Sequence, residues 1–278
     1  MPELPEVETV RRDLDEVLTG RTISDVILGR LRTVRRHASP EDFRSGLCGA
    51  RVLGTRRRGK YLLVDLHDEG HEHVVLVVHL RMSGQLLLAA SVENELVPHT
   101  HVRLQLDDGS EVRFVDPRTF GEMFVTSSAC PELAHVGPDA LDDAVTVSTF
   151  VEGARNRQVA LKAFLLDQRV VAGVGSIYAD EICFRAGLRP GRSVRRISTP
   201  QFKRIHMMMR EVLEAAIEAR GSTLGDGQYV GMDGKPGTFA LEHRVHARAG
   251  LGCVQCGSLI RRGIIAQRSA YWCPQCQR

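Results

Sequence analysis

Val7, Val10, Leu14, Val17 and Leu18 recur at helical spacing near the start of the chain, and Gly20 stands where a C-terminal cap belongs. The spacing predicts one amphipathic helix ending near Leu18. From Thr22 to about Val125 the period changes. Short β-rich segments, such as Tyr61 to Leu66 and His73 to Leu80, alternate with clusters of Gly, Asp and Ser. Val102, Leu104 and Leu106 alternate with polar residues, Asp107-Asp108-Gly109 supplies a turn, and Val112 and Phe114 resume the alternation. That is a hairpin signature, and this half of the chain is expected to form an antiparallel sandwich or barrel-like domain.

Between about Cys130 and Asp143, Pro131, Gly137, Pro138 and several acidic residues interrupt the pattern, as an inter-domain linker would. Beyond it the period becomes helical. A helix is expected from Pro200, capped by Ser198 or Thr199, with Phe202, Ile205, Met209, Val212, Ala216 and Ile217 on one face before Gly221. The pattern contains no internal repeat. The expected organisation is α+β: an N-terminal β-sandwich domain with a leading helix (1–130), a linker (131–145), a helical domain (146–240) and a C-terminal ribbon (241–278).

Composition narrows the class without deciding function. The 278 residues are 43% hydrophobic and 26% charged, within the range of a folded globular protein. No apolar run reaches the roughly 18 residues of a membrane span. The start, MPELPEVETV, carries acids where a secretion signal has bases, so a cytoplasmic protein with no membrane partner is expected. The net charge of +3 is too small to indicate a nucleic-acid partner by itself. Its distribution is uneven, with Arg30, Arg32, Arg35 and Arg36 in one cluster and Arg56, Arg57, Arg58 and Lys60 in another. Such clusters either hold phosphates or form solvated faces.

Four of the seven cysteines crowd into the last stretch as Cys253-x-x-Cys256 and Cys273-x-x-Cys276, separated by sixteen residues. Two-residue gaps let one turn present both sulfurs to a tetrahedral ion, so this spacing predicts a four-thiolate zinc site. Four thiolates leave no open coordination position. One structural Zn²⁺ and no catalytic metal are therefore expected. The segment between the pairs, SLIRRGIIAQRSAYW, reads as a β-hairpin carrying Arg261, Arg262 and Arg268. Cys48, Cys130 and Cys183 are scattered, as small buried hydrophobes usually are.

Five further segments, in order, resemble the bacterial formamidopyrimidine-DNA glycosylases, repair enzymes for 8-oxoguanine and ring-opened purines. They are MPELPEVE at the start, RRGKYLL around Lys60, HLRMSG from His79, DPRTFG from Asp116, and LLDQRVVAGVGSIYADE from Leu165 to Glu181. With the ribbon they span the whole chain. PELPE, where related enzymes for oxidised pyrimidines have PEGPE, resembles the purine branch.

The resemblance implies a bifunctional glycosylase and AP lyase acting on damaged double-stranded DNA, bacterial, cytoplasmic, associated with the nucleoid in use, and monomeric. Its nucleophile would be Pro2, whose secondary amine is exposed once Met1 is removed. An amine attacks an electrophilic sugar carbon, displaces the base and forms an iminium. Glu3 would act as general acid, protonating the sugar ring oxygen, and Glu6, one turn on, would hold the amine or the lesion. By elementary chemistry alone, Pro and Glu here also make an ordinary helix start. Lys60 would grip phosphate at the lesion and assist catalysis, and Arg268 would bind lesion phosphates. Met82, Arg118 and Phe120 would fill the gap left by the flipped nucleotide, since a base inside a duplex must be extruded before it reacts. His79, His99 and His101 are candidates for phosphate contact, His99 the one retained, and structural hydrogen-bonding is the alternative for each. The base-reading loop is expected within Gly221 to Phe239.

Residues 165 to 181 resemble the helix, two turns, helix DNA-binding element, with Gly173 and Gly175 letting backbone approach phosphate at a helix N-terminus. Here the chain departs from the family: Ser176 stands where Asn is usual, and VHARAG around His246 replaces a segment that commonly has tyrosine. Serine donates with shorter reach. A non-catalytic DNA-damage-binding paralogue weakened at Ser176 is therefore the competing expectation, and a zinc-ribbon nucleic-acid module of unrelated function is a third.

Overall fold

The computed structural model describes residues 1–67, 73–225 and 227–278. It divides into two compact units, Met1–Ala134 with Ala219–Thr238, and His135–Glu218 with Phe239–Arg278.

In the first unit, α1 (Leu4–Leu18) buries Leu4, Val7, Val10, Leu14 and Leu18 along one stripe, and the left-handed Gly20 follows its end. A second α-helix, α2 (Pro40–Ser45), is a short turn capped by Ser39. Eight strands follow the expected alternation: β1 (Ile23–Leu28), β2 (Arg51–Arg58), β3 (Tyr61–His67), β4 (Val74–His79), β5 (Gln85–Ala89), β6 (Thr100–Leu106), β7 (Glu111–Val115) and β8 (Glu122–Ser127). They form two antiparallel four-stranded sheets, ordered β2-β3-β4-β8 and β1-β6-β7-β5. Leu62, Val64, Leu76, Val78 and Met123 of one sheet meet Val26, Leu86, Val102, Leu104 and Val112 of the other in a single core that also takes in Val7, Val10 and Leu14. The β-sandwich is thus closed by hydrophobic alternation on facing strands.

The second unit holds α3 (Val147–Ala154), α4 (Leu161–Leu166), α5 (Ser176–Arg185), α6 (Thr199–Glu218) and the hairpin of β9 (Arg261–Ile265) and β10 (Arg268–Trp272). α6 buries the expected face, from Phe202 to Ile217, and Phe164 meets both Phe150 and Phe202 edge-on. The linker expected at 131–145 is ordered in part against this unit: the Gly137 amide donates to the Gln168 carbonyl at 2.9 Å, and Asp139 bridges Ala172. A Cβ at Gly137 would lie 2.4 Å from the Arg169 carbonyl oxygen, which explains a glycine there.

Sequence order places residues 219–238 in the expected helical domain, yet they pack with the sandwich. Ion pairing, backbone bonding and the burial of Tyr229 and Met232 in the sandwich core take them there. Arg220 grips Asp13 of α1 through two bonds of 3.0 and 2.7 Å, the Leu88 amide of β5 donates to the Met232 carbonyl at 3.2 Å, and Gln85 reaches the Gln228 carbonyl at 3.1 Å. Asp226, inside the expected base-reading loop, lies outside the described residues.

Candidate active site and nucleic-acid interface

Pro2 is buried directly ahead of α1, followed by two carboxylates that are also buried, Glu3 at 2% exposure and Glu6 at 1%. Buried carboxylates persist only when hydrogen-bonded, and the helix start provides for this. The Glu3 amide donates to Glu6 Oε2 at 2.8 Å, half of a capping box that starts α1 at Glu3. The other oxygen, Oε1, accepts from the Ser222 amide at 2.7 Å. One carboxylate therefore joins the backbone beside Pro2 to the 219–238 segment. Gly221 makes this fit possible: its φ is +82°, and a Cβ would stand 2.8 Å from Glu6 Oε1.

Lys60 is in the β2–β3 turn, next to the left-handed Gly59, and is buried. Arg57 fixes that turn, since it donates to the Gly59 carbonyl at 3.1 Å and pairs with Glu8 of α1 at 3.0 Å. Burial raises the Glu8 carboxyl, but Arg11 and Arg57 outweigh it and hold the group below its usual value.

At one edge of the sandwich three loops share Asp116, which is fully buried. Its carboxylate accepts from Ser83 Oγ at 2.6 Å, the Gly121 amide at 2.7 Å and the Arg118 amide at 3.2 Å. Its carbonyl meets His101 Nε2 at 2.8 Å and its amide donates to the His99 carbonyl at 3.0 Å. The segments bearing Met82, His99, Arg118 and Phe120 thus have a common anchor. Arg81, His99 and Thr119 all have positive φ there, and non-glycine residues so strained gather at functional sites. Phe120 is 43% exposed with the Arg118 guanidinium 4.8 Å above its ring. Met82 is half-buried.

The histidines separate by environment. His99 is exposed. His101 is buried on the Asp116 carbonyl, and His79 is buried edge-on to Tyr61, its Nδ1 accepting from the Arg81 amide at 2.9 Å. Burial first, then the Arg81 charge, hold His79 down to about 3, so it is a neutral structural acceptor at neutral pH. The arginine clusters are also largely committed inside the protein. Arg35, Arg36 and Arg81 all pair with Glu122, at 3.0, 3.1 and 2.7 Å, while Arg56 pairs with Asp65 at 2.8 Å. Burial raises the Glu122 carboxyl, but Arg36 and Arg81 bring it down to about 2. Arg35 also donates to the Gly121 carbonyl at 2.9 Å and Arg32 to that of Thr119 at 3.2 Å, bracing the Phe120 loop.

In the second unit, Gly175 caps α5 without a side-chain bond, no acid occupies the first turn, and Ser176 begins the helix. The amides of such a first turn make a ready anion site. Gln168 shapes the preceding turn by accepting from the Gly173 amide at 2.9 Å and donating to the Leu166 and Val174 carbonyls; Gly173 takes φ +108°. Ser176 Oγ donates to the Ser269 carbonyl at 3.3 Å. Beneath lies a network that sequence reading misses. Lys162, fully buried, donates to Asp180 Oδ1 at 2.7 Å and to the Ser269 and Ser176 carbonyls at 2.6 and 3.2 Å. Asp180 also meets His246 Nδ1 at 2.9 Å, and Glu181 accepts the amides of Arg244, Val245 and His246. A lysine inside the apolar run LKAFLL was the one signal available. The exposed Arg268 follows a two-residue turn, Ala266-Gln267, with both φ positive, the twist a tight hairpin demands.

The sulfurs of Cys253, Cys256, Cys273 and Cys276 lie within 4.8 Å of one another, with Cys256 and Cys273 3.4 Å apart and Cys253 and Cys276 3.9 Å apart. Tetrahedral zinc thiolates, at about 2.3 Å from the ion, bring sulfurs roughly 3.8 Å apart, so these residues fit such an ion. Among the described residues no other group of His, Cys, Asp or Glu could hold a metal, and no helix is long and apolar enough to cross a membrane.

Residues 1–123 match the family model for the formamidopyrimidine-DNA glycosylase N-terminal domain, and residues 136–227 match that for its H2TH domain. The chain belongs to the formamidopyrimidine-DNA glycosylase family. Formamidopyrimidine-DNA glycosylase of Geobacillus kaustophilus is 40% identical over 282 residues, covering all of both chains. That of Thermus thermophilus is 41% identical over all of this chain and 98% of the relative. The crystal structure of the Thermus thermophilus MutM (Fpg) protein superposes with a TM-score of 0.87 over 99% of this chain and 98% of that one, at 40% identity. The Lactococcus lactis Fpg in complex with abasic-site DNA gives 0.89 over 99% of each chain at 30% identity. A non-catalytic paralogue is not favoured, because these full-length relatives are glycosylases.

Proposed function

We propose that this enzyme excises oxidised and ring-opened purines, 8-oxoguanine among them, from duplex DNA and then cleaves the strand as an AP lyase, acting as a monomer. One observation carries the reading: Pro2 is held at a helix start beside two buried carboxylates, with both oxygens of Glu6 committed to backbone amides. Such an arrangement fixes a nucleophile and an acid in register. Family relatives crystallised with abasic-site and N7-benzyl-Fapy-dG DNA support the substrate class.

With Met1 removed, the Pro2 nitrogen uses its lone pair to attack C1′. The glycosidic bond breaks, and the base leaves with that electron pair and takes up the proton that the Pro2 nitrogen gives up on becoming tertiary. Glu3 donates a proton to the sugar ring oxygen as the ring opens, leaving a C1′ iminium on Pro2. The iminium draws electrons as the C2′ proton is lost, expelling the 3′ phosphate; loss of the C4′ proton from the conjugated iminium then expels the 5′ phosphate, and water returns the amine. Lys60, Arg268 and the α5 N-terminus with Ser176 hold phosphates. Met82, Arg118 and Phe120, presented by the Asp116-anchored loops, occupy the space of the extruded nucleotide, and His99 adds a phosphate contact. The four cysteines would hold one Zn²⁺ as a cross-link of the ribbon.

Borohydride reduces an iminium to a stable amine. Incubating the protein with an 8-oxoguanine·cytosine duplex and borohydride is expected to give a crosslink that needs the lesion and is strongly reduced in a correctly processed Pro2→Gly variant, whose primary amine is a differently placed nucleophile. Tight lesion binding with no crosslink, or equal cutting by Pro2→Gly, would overturn the reading.

A further inference from the structure

Within the second unit, the turn after α5 and one side of the hairpin enclose a half-open recess of about 510 Å³, a size suited to a small organic ligand. Its cationic lining is Arg189, Arg192, Arg196 and Arg278, and its apolar lining is chiefly Ile265 and Trp272. No Asp or Glu contributes to it. Arg192 is braced, donating to the main-chain oxygens of Arg196 at 3.0 Å and Arg278 at 3.3 Å. Arg189, Arg196 and Arg278 are exposed, and among the described residues none of the four pairs with a side-chain carboxylate. Arg196 continues into an adjoining recess lined by Gln158, Ser193 and Arg195, which extends the positive charge.

Four guanidinium groups gathered round one concavity, with only the main-chain carboxylate of Arg278 against them, repel each other, and an anion with several oxygens relieves this through bidentate bonds. An indole on the same wall offers a face on which a flat ring stacks. We propose that this recess binds a nucleotide, with its phosphates on Arg189, Arg196 and Arg278 and its base against Trp272. Both a free nucleoside diphosphate and the phosphorylated end of a single strand present that chemistry. The inference stands apart from the glycosylase reading, since it uses none of the residues assigned to excision.

Trp272 is the only tryptophan in the chain, so its fluorescence reports on this recess alone. Titrating the full-length, metal-loaded protein with ADP is expected to quench that emission saturably, while inorganic pyrophosphate, lacking a ring, leaves it nearly unchanged. Arg189→Ala with Arg196→Ala is expected to weaken ADP binding at least about tenfold, two charge-assisted contacts accounting for such a factor. The pair is exposed, so its thermal midpoint should match the parent's, and its cutting of lesion duplex should be unchanged. A 5′-phosphorylated oligothymidine distinguishes the sources: tighter binding than ADP assigns the site to strand ends, weaker binding to free nucleotides. Calorimetry with Trp272→Phe, which keeps a stacking ring, should show ADP still bound. Absence of saturable quenching and of binding heat at millimolar ADP, or identical affinity in the double variant, would overturn the proposal.

Discussion

Glu6 and Ser222 lie 216 positions apart in the chain and are joined by a 2.7 Å bond from the Ser222 amide to the Glu6 carboxylate. The same carboxylate holds the Glu3 amide beside Pro2. Any movement of the 219–238 segment is therefore felt at the helix start that presents the nucleophile.

Glu6→Gln keeps the shape but removes the charge and one acceptor oxygen. A buried hydrogen bond to a charged group is worth about 1.5–3 kcal/mol, so unfolding free energy is expected to fall by about 2 kcal/mol and the rate of lesion cutting by tenfold or more on the same scale. Gly221→Ala should act on the same joint, since φ is +82° and its Cβ would press on Glu6. Gly20→Ala is the control, with φ +84° and open space around it. Urea midpoints should show a greater loss for Gly221→Ala by about 1 kcal/mol or more, the cost of a clash beyond backbone strain. Equal losses would mean that the Glu6 contact carries no weight.

His79 sets a pH dependence. Its folded value, about 3, lies below the ordinary 6.5, so as pH falls through 6.5 the unfolded chain takes a proton that the folded chain refuses. Stability is lost progressively from 6.5 down to about 3. His243, held to about 4 chiefly by burial, adds to the slope. Glu122 acts lower: its folded value is about 2 against 4.5, so its contribution, present above 4.5, disappears between 4.5 and 2. His79→Asn keeps an acceptor for the Arg81 amide without titrating. Its urea midpoint should decline less than the parent's between pH 6.5 and 4.5; parallel profiles would refute this assignment.

The ribbon's core is Val245, Cys253, Ile260 and Cys273 packed on Phe184 of α5, two of them among the cysteines that could hold a metal. So small a core cannot hold alone. Metal analysis should find about one zinc per chain, the stoichiometry of a four-thiolate site. Chelation should open 250–278 to protease and weaken DNA binding, with zinc restoring both. Undiminished protease resistance after complete removal would show that the metal is dispensable.

Ser176→Asn should tighten binding of an abasic-analogue duplex about three- to tenfold, the worth of one further phosphate contact. Titration of both proteins at one salt concentration measures it. Unchanged affinity would mean that serine serves equally well here.

The elements set by local periodicity were legible: α1, the β6–β7 hairpin, α6 and the ribbon each follow from repeat or spacing over a few residues. Contacts fixed by distant partners were not. Arg35 and Arg36 read as phosphate holders or a solvated face, yet their partner is Glu122, more than eighty positions away. Lys162 sat unnoticed in an apolar stretch because its acceptors come from α5 and from β10, 107 positions on. The return of 219–238 to the sandwich left no periodic trace, since ion pairing, backbone bonds and two isolated core side chains, Tyr229 and Met232, rather than an apolar stripe hold it. Among the site residues, Pro2, Glu3 and Lys60 came from motif resemblance; their burial and bracing came only with the fold.

That return has a consequence for biosynthesis. A ribosome delivers Glu6 early and Ser222 more than two hundred residues later, so the nascent sandwich must wait for the strap that completes it. The second unit is interrupted by the same strap and must wait for the ribbon. Neither unit can finish before most of the polypeptide has emerged, and the N-terminal helix spends that interval with one buried acceptor still seeking its donor.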